Sequence, residues 1–254
     1  MAAVLLAAFC AFTLALNASD NQPFNPQEII RKFAAREAQF KEARQSYTFK
    51  TRMLTQILDG KGIVLEERLL IMESYFTNDG TRHQRTLIDD GEIRSLKMTQ
   101  EDIDDVINIQ PFVLTTDDLP EYDIKYIGKE KADELNTYVF SVKPKQIFGR
   151  KRYFEGKIWV DTEDLQIVKT DGRAVPQNEQ RFPRFETLRQ LVDGKYWFPV
   201  WTLADETLRF GDVFRGTTKH HVRELITYED YKKFEVKSNI KFGAPKPDEP
   251  QPKP

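Results

Sequence analysis

The residues in this sequence best suited to metal binding or proton transfer by type are its three histidines, His83, His220 and His221. His220 and His221 are adjacent within a stretch that alternates as a β-strand does. Because neighbouring side chains of a strand point to opposite faces, these two cannot chelate one ion together. His83 has no histidine near it in the sequence. We therefore predict surface positions for the histidines.

Carboxylate pairs are the second group that could do chemistry. Asp161 and Asp164 flank a turn and could hold calcium, but acidic residues at turns usually serve the turn itself. Glu66-Glu67 and Asp104-Asp105 are adjacent pairs, so their side chains diverge instead of sharing a proton. Two carboxylates far apart in sequence, as glycosidases use, stay an open alternative. Phosphate loops, nucleophile elbows and histidine zinc motifs are absent from the sequence. We predict no enzyme, no cofactor and no metal site.

The chain begins with an apolar run, Ala2–Leu16, that contains the single cysteine, Cys10. The run is too short to span a bilayer and has the length of a secretory signal core. We predict a signal peptide over residues 1–18, so that the mature chain has no disulfide and no thiol chemistry. Phe9 precedes the cysteine where a lipoprotein signal needs a small residue, and a buried helix is the alternative interpretation of the run.

Composition excludes several classes of protein. Hydrophobic residues make up 40% of the 254-residue chain and charged residues 31%, which is a globular balance. The net charge of -2, with both signs mixed, lacks the basic stripe of a nucleic-acid binder. Aromatic residues reach 12%, and these favour pleated, half-buried sheet surfaces.

One amphipathic helix precedes the predicted strands. Asn25 can cap it, Pro26 suits its first turn, and Glu28 can reach back as in a capping box. Apolar residues then recur at spacings of three and four as far as Phe40, and we predict that the helix ends near Gln45. Its expected role is to cover one face of a sheet.

Beyond the helix the apolar pattern has the period of two that is typical of strands. Turn signals such as Asp193-Gly194-Lys195 separate the strands, and no helix–strand alternation indicates a parallel sheet. The segment Thr99–Leu114, a short acidic helix and an apolar loop, could be a lid or a simple connection. The eleven or twelve predicted strands begin at Tyr47 and continue at Ile63–Phe76, Leu87–Ile88, Ile93–Leu96, Tyr122–Ile127, Leu135–Lys143, Tyr153–Val160, Gln166–Thr170, Phe185–Val192, Tyr196–Ala204, Val213–Tyr228 and Phe234–Phe242.

Each predicted strand has one apolar face, and two helical segments are too few to cover a dozen strands. A single sheet curled around its own apolar face solves this problem. We therefore predict a mainly β fold with a few helices, an incomplete antiparallel β-barrel of about eleven strands with a helical lid. The residues predicted to line a hydrophobic cavity are Phe49, Met53, Tyr138, Phe140, Phe154, Ile158, Val160, Phe198, Val200, Phe234, Val236 and Ile240. The same aromatic residues could also fill the barrel, and periodicity alone does not separate the two cases.

The stretch Arg152–Lys169, RYFEGKIWVDTEDLQIVK, carries a family resemblance. It is a strand ending in Trp-Val-Asp, an acidic turn and a second strand. Tyr196-Trp197-Phe198-Pro199 follows the later Asp-Gly-Lys turn. This series, over about Tyr122–Tyr231, resembles the outer-membrane lipoprotein carrier and lipoprotein-sorting superfamily, the LolA/LolB-like proteins. The resemblance implies an incomplete barrel whose lidded cavity takes acyl chains, without a cofactor or a catalytic residue.

The resemblance also implies an inward arginine that latches the lid. Arg52 lies on a suitable early strand, but its alternation points away from the apolar face. The latching residue therefore stays unassigned in the sequence.

These observations give a domain plan and two main functional hypotheses. Residues 19–243 are predicted to form the half-barrel domain and residues 244–254 a disordered Pro-rich tail. The first hypothesis is a monomeric periplasmic carrier or chaperone for a lipid or acylated lipoprotein, served by an envelope transporter or an outer-membrane acceptor. The alternative is a non-catalytic envelope interaction or stress-sensing module with a filled barrel, for which the outward Trp159 would be an anchor. Phe140→Asp is expected to abolish binding by a carrier.

Overall fold

The computed structural model describes residues 24–77, 81–96, 105–106, 108–177, 182–212 and 216–234. The predicted signal peptide and Pro-rich tail lie outside these ranges, as does the predicted strand Phe234–Phe242 beyond its first residue. The described elements are α1 (Pro26–Arg44), β1 (Tyr47–Leu58), β2 (Val64–Phe76), β3 (Arg82–Asp89), a 3-10 turn (Leu119–Glu121), β4 (Tyr122–Ala132), β5 (Leu135–Pro144), β6 (Tyr153–Asp161), β7 (Ile167–Val175), β8 (Arg184–Val192), β9 (Tyr196–Asp212) and β10 (Gly216–Lys233).

Helix α1 forms where the sequence predicts it. The Asn25 side chain accepts a hydrogen bond of 3.0 Å from the Gln27 backbone N–H, which satisfies one of the free amides of the first turn. Glu28 does not close a capping box but pairs with Lys32 at 2.6 Å. The buried face of the helix consists of Ile30, Phe33, Ala34, Glu37 and Phe40, spaced as one helical stripe.

The ten strands form a single antiparallel sheet in the order β3-β2-β1-β10-β9-β8-β7-β6-β5-β4. Consecutive strands are neighbours except β3 and β4, and β10 pairs with β1 to join the two ends of the series. The sheet is open, because β3 and β4 lie at opposite ends of this order. The predicted incomplete antiparallel barrel with a helix over its inner face is therefore confirmed.

The sheet has fewer strands in the described residues than the eleven or twelve predicted. The segment Ile93–Leu96 is a turn and not a strand. The carboxylate of Glu66 accepts hydrogen bonds from the backbone N–H groups of Arg94 (2.6 Å) and Ser95, which folds this segment back across the end of β2. Its apolar residues Ile93 and Leu96 are consequently buried against Ile57, Leu208 and Val222.

Helix α1 divides the concave face into two regions. Under its first three turns lies the covered half, formed mainly by β4 to β8, where Ile30, Phe33 and Ala34 pack into the largest hydrophobic cluster. The last turn of α1 overhangs the open half, formed by β1, β2, β3 and β10. The open half has smaller clusters, one of them built from Phe49, Met53, Val106, Ile226 and Tyr228.

Glycines permit close packing inside the covered half. Gly156 of β6 and Gly172 of β7 are directly paired, and the Phe154 ring lies against both. A Cβ atom added at Gly156 would meet the Asp171 carbonyl oxygen at 2.3 Å. Glycine is therefore needed at this position for steric reasons, and the ring fills the space that two side chains would occupy.

The two edges of the sheet differ. Strand β4 carries the exposed lysines Lys125, Lys129 and Lys131 and a β-bulge between Tyr126 and Gly128. Strand β3 exposes Arg85 beside the apolar Leu87 and Ile88, with a register shift at Leu87, whereas the large apolar side chain that β4 exposes is Ile127. Charge and irregularity are common protections of an unpaired strand against pairing with another chain.

Candidate functional site

A cleft of about 420 Å³ opens beneath the C-terminal end of α1, in the open half. This volume lies within the range of small-molecule sites. Its walls come from the last turn of α1, from β1 to β3 and from the connecting segment, by which we mean residues 105–106 and 108–114 between β3 and β4. Its lining includes Lys41, Arg44, Phe49, Ser74, Gln84 and Val113. The cleft thus combines cationic and apolar side chains.

The apolar part of the cleft is continuous with the core of the open half. Phe49 is 8% exposed, and its ring centroid lies 5.3 Å from that of Tyr231. The same residue belongs to the buried cluster of Met53, Ile226 and Tyr228. Burial raises the pKa of Tyr228 to about 12, so its hydroxyl stays neutral at physiological pH.

Five of the twelve predicted cavity residues lie in the packed core of the covered half or at its margin. Phe140, Phe154, Ile158 and Val160 are fully buried beneath α1, where the Phe33 ring lies 5.4 Å from that of Phe140. Tyr138 is half-buried at the margin of this cluster. Phe140→Asp would therefore place a charge in a filled core, so a loss of binding in that variant could not be separated from unfolding.

The remaining predicted residues are more dispersed. Phe49 lines the cleft and Met53 lies in its buried cluster. Phe198 is fully buried against Phe40 and Tyr47, and Val200 is half-buried. Phe234 is half-buried and its ring stacks on Phe76 at 4.5 Å, whereas Val236 and Ile240 lie outside the described residues. Contact of these residues with a ligand stays a prediction.

A buried ion pair ties α1 to the sheet. Arg189 of β8 donates from Nη1 to both carboxylate oxygens of Glu37, each at 3.0 Å. The side chains are 1% and 0% exposed. The Ile167 backbone N–H donates to the same carboxylate at 3.1 Å. Burial raises the pKa of Glu37, while the Arg189 charge and the hydrogen bonds oppose that shift.

Arg189 also holds the segment that precedes β4, because its Nη2 donates to the carbonyl oxygen of Phe112. One arginine therefore joins the sheet, α1 and this segment. Arg52 is partly exposed and takes no part in the contact. The sequence contains a signal for Arg189, because the period of two places it on the same face of the predicted strand as Phe185 and Thr187. In the structure all three side chains are buried.

Two further contacts anchor the connecting segment. Asp105 pairs with Arg152 at 2.7 Å, with both side chains largely buried. The Gln110 side-chain amide donates to the Glu224 carboxylate at 2.7 Å. Residues 105–106 and 108–114 are therefore fixed against both halves of the sheet.

Arg44 differs from these buried cations, because none of the described residues pairs a carboxylate with it. Its Cζ lies 5.5 Å from the centroid of the Phe49 ring, and its enclosed Nε has no hydrogen-bond partner. Burial lowers the pKa of the Arg44 guanidinium from its ordinary value, but an arginine remains charged at physiological pH.

The other polar candidates from the sequence are occupied by local contacts. Asp161 accepts hydrogen bonds from the backbone N–H groups of Glu163 and Asp164, and Asp164 accepts one from the Trp197 indole. His221 contacts Asp205 on the exposed face. Within the described ranges, no group of three or more histidine, cysteine or acidic side chains is placed to hold a metal ion. No described helix has the length and apolar content that a membrane crossing requires.

Comparison with known proteins gives matches at the level of structure. No protein-family model matches the chain, and no curated protein sequence matches it. A DUF1329 family protein from Desulfovibrio piger is 15% identical with a TM-score of 0.44, over 84% of this chain and 95% of that one. A LolA superfamily protein from Nitrosomonas europaea is 12% identical with a TM-score of 0.39, over 84% and 96%.

A third structure is described as a putative outer-membrane lipoprotein-sorting protein domain from Vibrio parahaemolyticus. It is 12% identical with a TM-score of 0.38, over 78% of this chain and 90% of the domain. All three TM-scores are below 0.5.

Proposed function

We propose that this protein is a non-catalytic periplasmic carrier that holds the acyl chain of a lipid or lipoprotein, in outer-membrane lipoprotein sorting. The observation that carries the proposal is the cleft in the open half, where an apolar floor at Phe49 lies beneath the end of α1. Binding would come mainly from apolar surface removed from water, at roughly 25 cal/mol per Å².

The lid of this carrier is α1 together with residues 108–114. Both are held by Arg189, through Glu37 and through the Phe112 carbonyl group. A wider opening of the concave face would have to separate the Glu37–Arg189 ion pair and break the hydrogen bond to the Phe112 carbonyl group. We therefore expect a ligand to enter at the cleft, with the anchored part of α1 in place.

The alternative function, an interaction module with a filled barrel, has less support. The covered half is indeed filled, but the cleft leaves space in the open half. Trp159 lies on the outer face as predicted, yet it is 7% exposed and packs with Val139 and Val168. Its indole N–H is already bonded to Glu130. It therefore offers little surface for a partner.

Native mass spectrometry of the protein produced in a Gram-negative periplasm, followed by organic extraction, tests the carrier directly. We expect a bound species of lipid mass. Gln84→Trp should remove it, because Gln84 lines the cleft from the edge strand β3 and a larger side chain would fill the space.

Arg85→Trp is the matched control, because Arg85 is the next residue of the same strand and pairs with Glu73 away from the cleft. This variant should keep the bound species. A protein that stays free of ligand with added lipids and acylated peptides would refute the carrier and favour the interaction module.

A further inference from the structure

Arg44 is placed as an anion-binding residue would be, at the inner end of the cleft. Two other enclosed arginines of the described chain each have a carboxylate partner, Asp105 for Arg152 and Glu37 for Arg189. Arg44 has none within the described ranges, and its enclosed Nε lacks any acceptor. A guanidinium carries five N–H donors, so an unpaired one beside a cleft is a ready site for an oxyanion.

Structural explanations account for only part of this arrangement. Basic residues in the last turn of a helix favour the helix dipole, and Lys41 meets that need from an exposed position. Contact with the Phe49 ring supports the guanidinium plane from one side. Neither interaction supplies an acceptor for Nε.

We propose that Arg44 binds the head group of the carried ligand, which is an amphiphile bearing a carboxylate or a phosphate. This inference rests on the proposed carrier function and adds the chemical class of its ligand. The anionic group would lie at Arg44, with Lys41 and the Gln84 amide at the same cleft. The apolar chain would run over Phe49 towards the cluster of Met53.

Calorimetric titration of the delipidated full-length protein tests the proposal with four probes: dodecanoate, dodecyl phosphate, dodecanol and inorganic phosphate. We expect both anionic amphiphiles to bind roughly ten-fold or more tightly than dodecanol, since a hydrogen bond to a charged group contributes that much. Inorganic phosphate alone should bind weakly, because it lacks the chain.

Arg44→Gln should lower the affinity for dodecanoate by roughly ten-fold and leave the affinity for dodecanol unchanged. Arg36→Gln is the matched control, because it removes the same charge from an exposed position of α1 outside the cleft. Arg44→Lys should keep part of the preference for anions. Thermal melts of the three variants establish that each is folded.

The outcomes separate this inference from the carrier function. Equal affinity for dodecanoate and dodecanol, unaffected by Arg44→Gln, would overturn the anion site and leave the carrier standing. Absence of binding by all chain-bearing probes would overturn both. If inorganic phosphate were the only probe to bind, and Arg44→Gln abolished that binding, the proposal of an amphiphilic ligand would be refuted and Arg44 would belong to a simple anion site.

Discussion

The covered and open halves of the sheet are built from the same alternating strands but differ in what lies above them. In the covered half, α1 places Phe33 against Phe140, and the rings leave those residues fully buried. In the open half, the last turn of α1 lies over the strands together with Val106, and Arg44 lies against the Phe49 ring in the wall of a cleft. One helix therefore closes a packed core at one end and forms the wall of a cleft at the other.

The position of the Glu37–Arg189 ion pair, which we call the anchor of α1, explains the division into two halves. Glu37 lies about midway along α1, and its pairing with Arg189 fixes the helix over the sheet at that point. Residues before the anchor pack into the largest cluster, Phe40 just after it packs against Phe198, and Lys41 and Arg44 of the last turn line the cleft. An amphipathic helix longer than the core beneath it can thus form the wall of a cleft.

The largest effect should come from breaking the anchor. Glu37→Gln leaves Arg189 buried without a charged partner, and we expect the free energy of unfolding to fall by about 3–5 kcal/mol. Urea denaturation followed by circular dichroism measures it. Glu28→Gln, which removes the exposed pair with Lys32 on the same helix, is the control and should leave the curve unchanged.

A double variant sharpens the same test. Glu37→Leu combined with Arg189→Met replaces the ion pair with apolar side chains, and we expect it to recover most of the lost stability. If the double variant were as unstable as Glu37→Gln, hydrogen bonds of Arg189 to the Phe112 and Ile167 carbonyl groups would be the more important anchor.

The next largest effect should come from removing one buried ring in each half and comparing the losses in the free energy of unfolding. Phe140→Ala should lower the free energy of unfolding by about 3–5 kcal/mol, because a cavity is left in a filled core. Phe49→Ala should cost roughly half as much, because one side of its ring already faces the cleft and has fewer packing partners. Equal costs in thermal or urea unfolding would mean that the open half is as tightly packed as the covered half.

The smallest effect concerns the beginning of α1. Asn25→Ala removes the N-cap and should cost about 1 kcal/mol of stability. Because the anchor at Glu37 lies between the cap and the cleft, the affinity for dodecanoate should not change. Gln27→Ala keeps the cap, since only the backbone of Gln27 is used, and serves as the control. A change of affinity in Asn25→Ala would indicate that the whole helix moves when ligand binds.

Local pattern was enough to predict much of this fold. The helix from Asn25 to Gln45 and the tight turn at Asp193-Gly194 follow from capping, periodicity and turn chemistry within a few residues. The segment Ile93–Leu96 was predicted wrongly, because the carboxylate that bends it, Glu66, lies on another strand.

The candidate site depended on contacts between distant parts of the chain. Arg189 and Glu37 are 152 residues apart, and no local pattern joins them. Periodicity placed Phe49 and Phe140 on inner faces alike. Which of the two lies beside free space depends on the length of α1 and on where its anchor falls, and these are properties of the assembled fold.

The open sheet also has a consequence for how copies of this protein coexist at high concentration. A closed barrel presents no unpaired strand, whereas the sheet described in this protein ends at β3 and β4. Head-to-tail polymerisation of the sheet would require β4 of one molecule to join β3 of the next. Lys125, Lys129, Lys131 and the bulge after Tyr126 oppose that pairing from β4, and Arg85 and the register shift at Leu87 oppose it from β3, so each edge of the sheet resists aggregation.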